Sequence, residues 1–312
     1  MENLIISLNT VLPLFFSISL GYFLRRINML DENSLNRVNK LCFKVFLPIY
    51  LFNNLLTTNL ATAFNGKLIL FAFLAVMTLF VVLILVIPRL EPLNSRRGVM
   101  IQGIFRTNFA LLGLPIATSL CGEANIGPTS LLIGMFVPVY NVLAVITLET
   151  YRGGKPDPKK ILKGVVTNPL IIASVLGALC NLAKIDFPYA IDKTVLDLSR
   201  VATPLSLVTL GGFFTFGKIK DYIKQLSIVV IGKLIVSTMV VVIVAILAGF
   251  RNETLVPLMI MFAAPTAVSS FPMAQQMDGD AELAAEIVVF TSAISILTIF
   301  LWIFLLKQIG VI

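Results

Sequence analysis

The chain has 312 residues, 58% of them hydrophobic and 13% charged, with a formal net charge of +8 and no histidine. An average soluble domain carries about 25% charged residues, so a chain with mean hydropathy +0.97 has too little polar surface to meet water on all sides, and lipid is the solvent that fits. Without histidine, Ser-His-Asp chemistry, HExxH metal sites and histidine haem ligation are excluded.

The first apolar stretch, 4–23, has the ~20 residues that a span requires. No basic segment precedes it and no small-residue cleavage site follows, so a retained helix is expected rather than a signal peptide. Further apolar segments fall at 41–56, 68–88, 98–121, 127–148, 161–182, 201–216, 226–249, 254–277 and 283–306. The expected fold class is therefore an all-α membrane protein of about ten transmembrane helices. Asp31-Glu32-Asn33-Ser34 predicts the start of a short interfacial helix ahead of segment two. Gly153-Gly154-Lys155-Pro156-Asp157-Pro158 predicts a central linker. Cys42, Cys121 and Cys180 stand apart with no CxxC spacing, which points away from a disulfide framework. No basic soluble module is present, so the positive charge implies loop topology rather than a nucleic-acid partner. The odd-numbered loops hold fifteen Lys and Arg, and the even-numbered loops with both termini hold six. This bias predicts cytoplasmic odd loops and extracytoplasmic termini.

An internal repeat organises the chain. Shifted by 156 residues, Pro13 falls on Pro169, Gly21 on Gly177 and Pro48 on Pro204; shifted by 157, Pro115 falls on Pro272, Ala117 on Ala274 and Gly122 on Gly279. Five helices per repeat, an odd number, force opposite orientations, so 1–152 and 153–312 are expected to be inverted repeats, a hallmark of alternating-access transporters. Such transporters bind substrate where interrupted helices cross. Segments four and nine are the matching pair here. Breaks are expected at about 108–115 and 265–272, with Pro115 near Pro272, because proline removes a backbone donor and clashes with the preceding turn. Exposed N–H groups at the half-helix N-termini suit an anion. The candidate substrate-binding residues are Asn108, Gly113, Pro115, Asn141, Ser269, Ser270, Pro272 and Gln275.

Three cations lie within apolar segments: Lys44, Arg106 and Lys233. Buried charge in a membrane helix marks function by default. Lys44 is near enough to a helix end to snorkel. Arg106 has two readings, a carboxylate ligand or a brace for the broken helix. The role of Lys233 is left open. Asp278, Asp280 and Glu282 are expected in a solvated loop, and Glu149 and Glu286 near helix ends.

Asn39-Lys40-Leu41-Cys42-Phe43-Lys44-Val45-Phe46-Leu47-Pro48, Phe105-Arg106-Thr107-Asn108 with Gly113-Leu114-Pro115, Pro138-Val139-Tyr140-Asn141, and Ala264-Pro265-Thr266-Ala267-Val268 through Phe271-Pro272-Met273-Ala274 carry a resemblance. The chain resembles the auxin efflux carrier family of bacterial permeases, relatives of the plant PIN-formed auxin transporters. The resemblance implies a bacterial cytoplasmic-membrane location and ten helices in two inverted repeats. It also implies a scaffold (4–56 and 161–216) and a moving transport core (68–148 and 226–306) that work as an elevator. The expected function is secondary transport of an organic anion, a carboxylate such as malate or malonate or an auxin-like monocarboxylate. A sodium-coupled symporter of the bile-acid-like branch is the alternative, although the acid that branch carries in segment nine has no counterpart here. The small organic anion and the bilayer are the expected partners, a homodimer is compatible, and neither cofactor nor metal is expected. No HExxH or paired intramembrane aspartates occur, so an enzyme is not expected.

Overall fold

Helices build the fold, and no strand occurs among the described residues, which in this computed structural model are 2–57, 65–153, 158–214 and 219–312. Helix α1 (Glu2–Arg26) leads to α2 (Glu32–Leu41). As the sequence predicts, Asp31 caps α2, accepting from the Ser34 N–H at 2.7 Å. Ser34, through its hydroxyl and then its N–H, holds the Asp31 carboxyl below the usual carboxylate range. A π-helical turn, Cys42–Phe46, joins α2 to α3 (Leu47–Leu56). Pro48 sits in the first turn of α3, and the wider turn before it accommodates the ring.

Next come α4 (Gly66–Leu90), the short α5 (Asn94–Phe105) and α6 (Phe109–Cys121), and α7 (Gly127–Tyr151). Helix α8 (Pro158–Val166) meets α9 (Pro169–Leu182) at a 53° bend, where Asn168 caps α9 by accepting from the Leu170 N–H at 2.9 Å. Then follow α10 (Tyr189–Phe213) and α11 (Ile219–Ile231), which passes through the π-helical turn Gly232–Ser237 into α12 (Thr238–Leu247). The chain closes with α13 (Asn252–Ala263), α14 (Ser270–Gln276) and α15 (Ala281–Gln308).

Among the described residues, five helical runs are long and apolar enough to cross a membrane: 66–90, 94–121, 127–150, 220–247 and 281–308; counting the bent α8–α9 pair makes six. Against the ten expected, segment nine falls short because it is cut into pieces of 12 and 7 residues. Segment seven belongs to α10, whose first half carries Asp192, Lys193, Asp197 and Arg200 ahead of the apolar stretch. The central linker, apart from Gly153 and Pro158, lies outside the described residues, as does Lys218.

Apolar surface divides by element. Helix α4 leaves Leu70, Leu74 and Leu85 more than half exposed, and α12 does the same with Val240, as lipid-facing helices do. In contrast, α5 from Gly98 to Phe105 and α13 from Leu255 to Ala263 are buried throughout. The breaks these helices lead into, 106–108 and 264–268, are likewise buried, so the non-helical backbone is enclosed by protein, where it is tolerated.

Helix α1 packs along α10, and α3 along α9. Both pairs close on glycine. A Cβ on Gly21 would collide with the Val208 carbonyl oxygen, and one on Gly177 would stand 2.6 Å from that of Phe52. Gly21 and Gly177 differ by 156 residues, and so do Phe52 and Val208, so the register read from the sequence recurs in these contacts.

The acidic loop is more structured than expected. Asp280 caps α15, accepting from the Leu283 N–H at 3.0 Å, and pairs with Arg96 at 3.1 Å. Asp278 pairs with Arg152 at 2.7 Å. Glu286 is buried.

Candidate functional site

Segments four and nine are both interrupted, the first just ahead of the predicted stretch and the second largely within it. Helix α5 stops at Phe105, and Arg106 turns extended (φ −77°, ψ 135°) before α6 starts at Phe109. Helix α13 stops at Ala263, with Ala264 extended (φ −63°, ψ 145°) and α14 starting at Ser270. The second break has a local cause: the residue before a proline avoids the helical region, and Pro265 follows Ala264. The backbone N–H of Asn108 donates to the Pro265 carbonyl at 2.8 Å. The crossing therefore runs through Asn108 and Pro265, not Pro115 and Pro272. These two residues correspond under the 157-residue shift, so a single hydrogen bond joins matching points of the two breaks. Pro272 lies in the first turns of α14, where proline is tolerated, and Pro115 lies within α6.

A narrow cavity opens beside this crossing. Arg106, Thr107 and Asn108 form one wall with Ala110 and Leu111 of α6, and Tyr140 and Asn141 of α7 stand beside them. Leu47 and Tyr50 of α3 and Thr203 and Ser206 of α10 face it, and Ala267, Val268 and Ser269 of the second break complete it. Leu47/Thr203 and Tyr50/Ser206 are 156 residues apart, and Ala110/Ala267 and Leu111/Val268 are 157 apart, so the two halves contribute matching positions.

The polar chemistry is less symmetric. Arg106 is 3% exposed. Its Nη2 donates to Asn141 Oδ1 at 2.6 Å and Ser269 Oγ at 2.8 Å, and its Nη1 rests against the Met273 sulfur at 2.7 Å. These acceptors are neutral. Among the described residues no carboxylate forms an ion pair with Arg106. Asn141 is itself held by its Nδ2, which donates to the Val137 carbonyl at 2.9 Å. Asn108 Nδ2 and the Tyr140 hydroxyl are buried with no hydrogen-bond partner. A cation and two idle donor-bearing groups thus converge on one space. An unpaired charge at membrane depth is costly, and an acceptor-rich anion in the cavity satisfies all three.

Of the expected site residues, Arg106, Asn108, Asn141 and Ser269 line the cavity. The others stand elsewhere. Gly113 is a packing residue, since a Cβ there would press on the Phe109 ring at 2.8 Å. Pro115 is exposed and Pro272 is buried inside α14. Ser270 uses its carbonyl to accept from Gln102 Nε2 at 3.1 Å. Gln275 bonds instead to α2, accepting from Asn39 and donating to Asn36 Oδ1 at 2.9 Å. Lys233 is fully buried in the π-helical turn before α12. The seven-residue α14 is also too short for the dipole argument, which leaves α6 to carry it. Tyr50, Thr203 and Ser206 were not anticipated. Their signal was the repeat itself, since they flank the matched prolines Pro48 and Pro204.

The family model described as "Membrane transport protein" matches residues 6–159 and 157–303. A protein of Methanothermobacter thermautotrophicus described as an uncharacterized transporter is 23% identical over 299 residues, covering 95% of this chain and 97% of that protein.

Proposed function

From the premise that this chain belongs to the membrane transport protein family, we propose that it is a secondary transporter that carries an organic anion, a carboxylate, through the cavity beside the crossing. The observation that carries this reading is the buried Arg106 guanidinium, paired only with neutral groups and flanked by the unpartnered donors of Asn108 and Tyr140. A carboxylate supplies the missing negative charge, and its oxygens accept from the waiting donors.

The reading includes ten spans in two inverted repeats with both termini outside the cytoplasm. The paired glycine contacts, the Asn108–Pro265 hydrogen bond and the matched cavity positions support it. Substrate sites at repeat interfaces belong to alternating-access transport. In this reading α1–α3 with α8–α10 form the scaffold, and the helices around the crossing carry the anion past it.

Counterflow of radiolabelled malate, malonate and indole-3-acetate in proteoliposomes tests the proposal. Saturable exchange of one of these acids that disappears in Arg106→Ala is expected. Absence of exchange across a broad panel of carboxylates, with cationic or neutral solutes exchanged instead, overturns it. Parallel assays with and without sodium decide whether sodium is co-transported.

A further inference from the structure

A second polar cavity lies between the ends of α7 and α14, helix α8 and the start of α9. Arg152 contributes to it from the end of α7. Lys160, Lys163 and Gly164 contribute from α8 and Thr167 from just past its end, and the spacing of the first three places them on one helix face. A Cβ on Gly164 would stand 2.6 Å from Glu149 Cδ, so glycine lets α8 lie against α7.

The charges in this cavity do not cancel. Arg152 donates from Nε to Asp278 at 2.7 Å and from Nη1 to Glu149 at 3.2 Å, and these acids raise its pKa. Arg152 offsets one of these two carboxylates, and Lys160 and Lys163 outweigh the other, so the group keeps one net positive charge. Lys160 and Lys163 have no acidic partner among the described residues. Both are exposed, so their ammonium groups are free to reach an incoming anion. Helix α8 also carries an apolar stripe: Leu162 is 65% and Val166 61% exposed. A short helix with lysines on one face and bare aliphatic side chains on another matches the interfacial helices that lie in a headgroup layer. The bend into the apolar α9 sets α8 off from the span that follows.

We propose that this cavity binds the phosphate of an anionic phospholipid, with Lys160 and Lys163 as its ligands and the acyl region over Leu162 and Val166. A free phosphate shares the headgroup chemistry but has no use for the apolar stripe. Basic pockets between membrane helices on the cytoplasmic side hold acidic headgroups in this way. The loop charges assign this end of the molecule to that side. A lipid seated here touches both α8 and the end of α7, and so links two parts of the chain that the transport reading requires to move relative to each other.

Native mass spectrometry of the full chain in mild detergent tests the site, with phosphatidylglycerol, phosphatidylcholine and inorganic phosphate as probes. Retention of phosphatidylglycerol in preference to phosphatidylcholine is expected. Each lysine near an anionic surface is worth roughly a factor of five in affinity. Lys160→Gln and Lys163→Gln should therefore each bind phosphatidylglycerol about five-fold more weakly, and the double variant about thirty-fold. Lys184→Gln, an exposed lysine outside the cavity, should bind as the unaltered chain does. The singles carry the same test should the double variant purify poorly. Equal retention by the variants and the unaltered chain overturns the proposal. So does displacement of the lipid by millimolar phosphate, which would make the cavity a site for the free anion. None of these readouts depends on transport.

Discussion

Helix α13 breaks at Ala264 because a proline follows, whereas α5 breaks at Arg106 with no proline beside it. The second break spans Ala264 to Ser269, and its polar groups are tied down. Thr266 donates from Oγ1 to the Gly103 carbonyl at 2.6 Å and from its N–H to Thr291 Oγ1 at 3.2 Å. The first break spans only Arg106 to Asn108, and it holds the buried cation and the unpaired Asn108 amide. The backbone crossing is near-symmetric and the side-chain chemistry is not. In the proposed reading a repeated backbone supplies the geometry twice, but a ligand with one charged end needs its cation once, so the first arm carries the cation and the second, apart from Ser269, is fastened in place.

Arg106→Ala should break this comparison most sharply. Truncating one partner of a buried charged contact costs roughly 2–5 kcal/mol, so affinity for the transported anion should fall about thirty-fold or more. Thermal stability of the empty protein should hold or rise, because an uncompensated charge is removed. A large loss of stability with unchanged affinity would make Arg106 a brace for the break. Asn108→Ala comes next, with an expected loss of about 1–2 kcal/mol, roughly five- to thirty-fold in affinity, measured by titration of the same anion. Thr266→Val should do the reverse. It leaves the Gly103 carbonyl without its donor and should lower stability by roughly 1–2 kcal/mol while affinity stays within about three-fold. If it instead weakens binding as much as Asn108→Ala, the division between the two arms fails. The smallest effect is expected from Pro115→Ala, since the interruption lies upstream in the chain, and transport should stay within about two-fold of the unaltered protein.

Much of this was legible in the sequence. Apolar period, proline placement and the 156/157 shift point to helices, to the two interrupted segments and to Arg106, Asn108, Asn141 and Ser269. Proline marked the second break, at Pro265, but misplaced the first break and the crossing, because Pro115 lies within α6 and Pro272 sits in an early turn of a helix, where its missing N–H is harmless. The far wall of the cavity was hidden for a different reason. Tyr50, Thr203 and Ser206 lie on α3 and α10, and only packing of those helices brings them opposite Arg106. Tyr140 and Asn141 adjoin in sequence, yet one hydroxyl is idle and the other side chain is fully engaged, a difference that depends on which way each points. Burial of Glu286 and the pairing of Asp280 with Arg96 likewise depend on contacts with distant segments.

The Gln275 side chain, outside the cavity, joins α14 to α2 through Asn36 and Asn39. All three members are neutral amides, each able to give and to accept. In the proposed transport cycle this seam lies between the part that stays and the part that travels. An ion pair there would strand two opposite charges at every parting and would weaken or tighten with the salt around it. Amides exchange each other for water with little net change, so the seam can open and close on every turnover at a rate nearly blind to ionic strength and pH.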